Sequence, residues 1–113
     1  MKTFNLFLLA FFLMFCATDV SGQEMTTEKF KVYGNCGMCK KTIETGVNGL
    51  EGIKSAKWDV ETKIMKVKFD LEVISLLEIK KKIAAVGYDT AEERADDEVY
   101  KNLHRCCQYE RPE

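Results

Sequence analysis

Tyr33-Gly34-Asn35-Cys36-Gly37-Met38-Cys39-Lys40-Lys41 separates two hydrophobic periodicities, and the change of period across it sets the topology. Upstream, between Glu28 and Val32, apolar Phe30 and Val32 alternate with Lys29 and Lys31, the pattern of a strand with one buried face. Downstream, Cys39, Ile43, Val47 and Leu50 recur at helical spacing, and Gly49 and Gly52 punctuate the end. The two thiols in C-x-x-C spacing therefore fall at a helix N-terminus, where orphan backbone N–H groups and the macrodipole favour thiolate over thiol. Lys40 and Lys41 add positive charge nearby. A dithiol of this kind, expected to be ionised, exposed and converging on one point, can hold a soft metal ion or exchange a disulfide.

Further along, Ala56, Trp58 and Val60 alternate with Lys57 and Asp59, and Met65, Val67 and Phe69 alternate with Lys66 and Lys68. A tight Glu61-Thr62 turn joins the two runs into a hairpin. Ser75-Leu76-Leu77-Glu78 reads as a capping box opening a second helix with Leu76, Ile79, Ile83 and Val86 on its apolar stripe. Gly87 ends that helix. A last strand is expected from Tyr88, weak or at an edge because Ala91-Glu92-Glu93-Arg94 has poor β propensity. The order β-α-β-β-α-β predicts an α+β, ferredoxin-like sandwich, with two helices on one face of a four-stranded antiparallel sheet. A short helical extension follows at the C-terminus. Right-handed crossovers put the loop after strand one and the loop after helix two at the same end, so Tyr88 should stand near Cys36 and Cys39, supporting their loop. Lysines 29, 31, 57, 66 and 68 form the wet side of the sheet, and Trp58 is core.

The chain has 113 residues and a net charge of −1. Lys2, the apolar run Leu6–Ala17 and the small residues to Gly22 follow the order of a secretory signal, with cleavage expected after Gly22. The run is too short to span a bilayer comfortably, so no stable membrane insertion is expected after cleavage. Cys16 offers lipid anchoring as a minority route, opposed by the bulky Phe15 before it. Export, to a periplasm or the outside, puts Cys36, Cys39, Cys106 and Cys107 where disulfides can form, so Cys36 and Cys39 could close on each other. No basic patch interleaved with aromatics is present, which argues against nucleic acid as a partner.

Residues 26–95 resemble the heavy-metal-associated domain of copper chaperones, of the N-terminal modules of metal-pumping ATPases and of periplasmic mercury-binding proteins. The resemblance rests on the C-x-x-C of the first loop, Gly52-Ile53 at the entry to strand two, and Gly87-Tyr88 after helix two. It departs at Gly34, where the family usually carries a methionine that packs beneath the loop. Two soft sulfur ligands suit near-linear Cu(I) best, and Hg(II) by the same softness. Zn(II) and Cd(II) are weaker candidates because structural zinc wants four ligands. Lys40 could support the loop or offset the charge of a bis-thiolate centre. The resemblance implies a monomeric, non-enzymatic carrier that passes its ion by ligand exchange to a metal donor or acceptor such as a metal-transporting ATPase. The alternative is a thiol–disulfide oxidoreductase, against which stand the element order and Pro112 as the single proline.

The tail 96–113 lies beyond the family domain. Asp96 or Asp97 can cap a short helix carrying Val99 and Leu103 on one face, followed by His104-Arg105-Cys106-Cys107. If strand four ran to the far end of the sheet, a tail folded back along it could bring Cys106 and Cys107 most of the way to the first site. Cys106, Cys107, His104 and Met38 are thus candidate additional ligands. The competing readings are a buried Cys106, a crosslink between two protomers, a solvated His104 and a Met38 that only packs.

Overall fold

Strand β1 (Met25–Lys31), helix α1 (Gly37–Asn48), hairpin strands β2 (Ile53–Trp58) and β3 (Ile64–Asp70), and helix α2 (Leu76–Ala85) follow in the order the periodicities predict. A short helix α3 (Asp97–Lys101) and one turn of 3-10 helix (Arg105–Cys107) complete the chain. The computed structural model describes residues 25–113, so the expected signal 1–22 and Cys16 lie outside the described residues. β3 is central: it pairs antiparallel with β1, Phe30 opposite Met65, and with β2, Trp58 also opposite Met65. Alternation then works as expected. Met65, Val67 and Phe69 face inward with no exposure, while lysines 29, 31, 57, 66 and 68 are all exposed.

Both helices lie on the apolar face, since Ile43 and Val47 of α1 and Ile79 and Ile83 of α2 join the sheet residues in one hydrophobic cluster. Ser75 caps α2 through its hydroxyl, which accepts from the Glu78 N–H at 3.2 Å. The hairpin turn is held by the Asp59 carboxylate, which accepts from the N–H groups of Glu61 and Thr62 at 2.8 and 2.9 Å. Gly87 follows α2 at φ +110°, and a Cβ there would stand 2.9 Å from Leu103 Cδ2. Only glycine meets both demands.

Among the described residues the sheet has three strands, so the expected fourth strand is corrected. One bond, from Tyr33 N–H to Asp89 C=O at 2.9 Å, begins the pairing and nothing extends it. The chain instead closes on itself: Thr90 N–H donates to Glu93 C=O at 2.8 Å and Glu93 N–H to Thr90 Oγ1 at 3.1 Å. The Asp89 carboxylate accepts from Ala95 N–H at 2.6 Å. Side-chain oxygens here outcompete a ladder that Ala91–Arg94 have little propensity to form. The consequence is directional. The tail never travels to the far end and back; it turns at once and stays at the cysteine end.

Candidate metal centre

Cys36 is the N-cap of α1 in an extended conformation (φ −143°, ψ −178°), so its side chain projects past the helix start while Cys39 sits in the first turn, facing the core. Their sulfurs converge to 3.7 Å. The Asn35 N–H donates to Cys39 Sγ at 3.4 Å. Backbone N–H groups lower the Cys36 thiol to about 7, that of Cys39 most and that of Met38 after it, against the raising effect of burial. This is the effect expected of a helix N-terminus. One expectation fails: Cys39 has no solvent exposure, whereas Cys36 is half-buried. Burial of Cys39 follows from its place on the apolar stripe of α1, where it joins Ile43 and Val47 in the core.

Tail residues reach the loop directly. Cys107 Sγ lies 4.0 Å from Cys36 Sγ, Cys106 Sγ lies 3.8 Å from Cys107 Sγ, and Cys106 Sγ meets Met38 Sδ at 3.5 Å. Cys36, Cys106 and Cys107 form a set of ligand atoms all within 4.8 Å of one another. All four cysteines among the described residues are free thiols. Burial pushes the Cys107 thiol up to about 12, so Cys36 ionises first, and a metal ion binding the Cys107 sulfur would have to displace its proton. His104 is exposed and stands outside that set of sulfurs.

Tyr88 is fully buried where the topology predicts it. Its hydroxyl has no hydrogen-bond partner, and burial first, then the Cys39 and Cys107 sulfurs it faces, hold it well above the ordinary phenol range. Lys40 takes a different place from the one that charge compensation would require. Its ammonium donates to the Trp58 carbonyl at 2.7 Å and pairs with Glu44 at 2.9 Å, and Glu44 in turn accepts from Trp58 N–H at 2.8 Å. Lys40 thus ties the first turn of α1 to the end of β2.

Gly34 explains the departure from the family pattern. Trp58 is fully buried beneath the loop, and a Cβ at position 34 would stand 2.9 Å from Trp58 Cη2. The indole Nε1–H donates to Val32 C=O at 3.0 Å, so the ring is fixed. Tryptophan from β2 fills the space beneath the loop.

Several supporting residues carry no periodic signal and escape sequence reading. Asn35 adds an Nδ2–H bond to the Cys106 carbonyl at 3.3 Å. Arg111 forks onto the wholly buried Asp89 at 2.8 and 3.0 Å, reaches the Ala95 carbonyl at 2.6 Å and lies over the Tyr100 ring. Tyr109, 2 % exposed, stacks on Tyr88 with ring centroids 5.5 Å apart. Its hydroxyl accepts from Asp89 N–H at 3.0 Å and donates to Gly87 C=O at 2.9 Å. Burying one such aromatic contributes roughly 2–3 kcal/mol. Added to the Arg111 fork, that fastens Cys106 and Cys107 over the loop.

The sulfurs fit a thiophilic ion. Thiolates bound at about 2.3 Å stand about 4.6 Å apart around a linear ion and about 3.8–4.0 Å apart around a three- or four-coordinate one. The 3.7 and 4.0 Å spacings from Cys36 to Cys39 and Cys107 match the higher coordination. Beside the Cys36 and Cys39 pair expected from the sequence, the tail adds a third sulfur, that of Cys107, 4.0 Å from Cys36.

The sequence model of the heavy-metal-associated domain matches residues 31–89. A copper chaperone of Staphylococcus saprophyticus, CopZ, is 35 % identical over 66 residues, which cover 58 % of this chain and 97 % of the chaperone. A probable copper-exporting P-type ATPase of Archaeoglobus fulgidus is 37 % identical over 60 residues, covering 53 % of this chain but only 8 % of the ATPase. Among solved structures, a CopZ metallochaperone superposes with a TM-score of 0.57 at 30 % identity, covering 58 % of this chain and all of that one.

Proposed function

The chain belongs to the heavy-metal-associated domain family, and from that membership we propose that it captures Cu(I) through the Cys36 and Cys39 thiolates and passes it to a partner by ligand exchange. One observation carries the reading: the two sulfurs converge to 3.7 Å at a helix start whose N–H groups favour the Cys36 thiolate. Soft thiolates select Cu(I) over harder ions, and Hg(II) shares that preference. Zn(II) and Cd(II) compete only where further sulfurs complete a four-coordinate shell. The role is non-enzymatic. Each thiolate is replaced in turn by one from the donor or acceptor, a metal-transporting ATPase being the kind of partner the relatives suggest, so the ion is never free. The carrier acts as a monomer outside the cytoplasm after cleavage following Gly22, with Cys16 lipidation the lesser route. The thiol–disulfide alternative finds no support among the relatives.

Native mass spectrometry of the reduced protein, offered Cu(I), Hg(II) and Zn(II) in competition, tests the proposal. Cu(I) or Hg(II) should occupy the protein and exclude Zn(II). Failure of the fully reduced protein to take up any of the three refutes it.

A further inference from the structure

The geometry points to a second soft-metal position, built by the tail and sharing two sulfurs with the first. This rests on the metal-binding reading above and adds to it. The sulfurs of Cys36, Cys39, Cys106 and Cys107 do not form the shell of one ion. A tetrahedral thiolate site needs every pair of sulfurs about 3.8 Å apart, whereas the mutually close set is Cys36, Cys106 and Cys107, with Cys39 outside it. What the distances describe is two triangles meeting at Cys36 and Cys107, which are 4.0 Å apart. Cys39 lies on one side, 3.7 Å from Cys36, and Cys106 on the other, 3.8 Å from Cys107. Around the outer position all three sulfurs, Cys36, Cys106 and Cys107, lie within 4.8 Å of one another, and around the inner one the two edges that meet at Cys36, 3.7 and 4.0 Å, have the spacing of a three-coordinate ion.

Ligand chemistry and charge agree with this arrangement. Met38 brings a thioether to within 3.5 Å of Cys106 Sγ on the outer side, where Met38 is 47 % exposed. A thioether beside thiolates is a donor set that selects Cu(I). Four thiolates around a single Cu(I) would leave three uncompensated negative charges at one spot, and the nearby ammonium of Lys40 is committed to Trp58 and Glu44. A second Cu(I) reduces that excess to two. The balance is simple: four thiols release four protons, two Cu(I) ions enter, Cys36 and Cys107 bridge, and Cys39 and Cys106 bind terminally. No electron is transferred.

The test counts ions per chain. The reduced protein is titrated with Cu(I) under bathocuproine disulfonate competition and weighed by native mass spectrometry, beside Cys106→Ser/Cys107→Ser and Cys106→Ser alone. The single variant alters an exposed side chain, so its fold is expected to survive, checked by far-UV circular dichroism. Wild type should saturate at two Cu(I) on a monomer and both variants at one, with copper–copper scattering in X-ray absorption present only in wild type. The second position is overturned if wild type saturates at one ion, if both variants still hold two, or if the second ion appears only on a dimer. Retention of one ion by every form sinks the second position and leaves the proposed function standing. Uptake of none by any form sinks both.

Discussion

Arg111→Ala tests whether the tail is a fastened part of the domain. Asp89 has no side-chain exposure and Arg111 only 13 %, so solvent screens the pair little. Burial pushes the Asp89 carboxyl up, but Arg111 and the Ala95 N–H more than offset it and hold the group below the ordinary carboxylate range. Two charges about 4 Å apart attract by about 4 kcal/mol at an effective dielectric constant of 20, and stranding one partner of a buried pair costs about 3–5 kcal/mol. Asp89 keeps the Ala95 N–H in the variant, and the contact of Arg111 with the exposed Asp97 adds little. The expected loss at pH 7 is therefore about 2–4 kcal/mol, which for a domain of this size lowers Tm by about 10–30 °C. The pH dependence has a definite sign. A carboxylate depressed in the folded state contributes stability that is present above its unfolded value of about 3.9 and lost as pH falls through the folded one. The gap between wild type and variant should accordingly narrow below about pH 4. Thermal unfolding of the reduced, metal-free proteins, followed by near-UV circular dichroism at pH 7 and pH 3, measures both. A loss under about 0.5 kcal/mol at pH 7, or a gap unchanged between the two pH values, would refute the argument.

Three further outcomes are expected. Alkylation of Cys36 by iodoacetamide in the reduced, metal-free protein should rise with pH to half its maximum near 7, with Cys107 unreactive until pH approaches 12; peptide mass mapping reads both. Tyr88→Phe should leave the metal-free protein about 1 kcal/mol more stable in urea, because it removes a buried hydroxyl that has no partner; a loss of similar size would reveal a bond the hydroxyl does make. Gly34→Met, which restores the family residue, should destabilise by about 1–3 kcal/mol because the space is filled by Trp58, and Gly34→Met/Trp58→Leu should recover part of that loss; an additive double variant would separate the two positions.

Where the sequence was legible, a short-range pattern carried the information. The period changes on either side of residues 33–41, the turn after Asp59 and the Ser75 cap are local signals, and each reappears in the backbone. Tyr88 was legible one step further, because crossover handedness alone brings the two loops together, and the Tyr33–Asp89 bond joins them. The tail was only half legible. Its vicinal thiols announced soft-ligand chemistry, but the expected route ran along a fourth strand that does not form. Single contacts decide the actual route: Arg111 on Asp89, Tyr109 against Tyr88, Leu103 over Gly87. None of these repeats with a period, so no pattern along the chain could reveal them.

The tail alters what ligand exchange demands of the proposed carrier. An ion held between Cys36 and Cys39 on an open loop would be approached by an incoming thiolate from several directions. Here Cys39 is wholly covered, Tyr88 and Tyr109 wall the inner side, and Cys107 already stands where a third thiolate would enter. An incoming ligand must come from the half-buried Cys36 or the exposed Cys106. Exchange then starts by displacing a sulfur of this chain, a unimolecular competitor at an effective concentration well above that of any partner in solution. Retention is favoured over release by the same contacts that hold the tail down. On this reasoning, loosening the Arg111–Asp89 fork should speed copper transfer to a thiol acceptor as well as lower Tm.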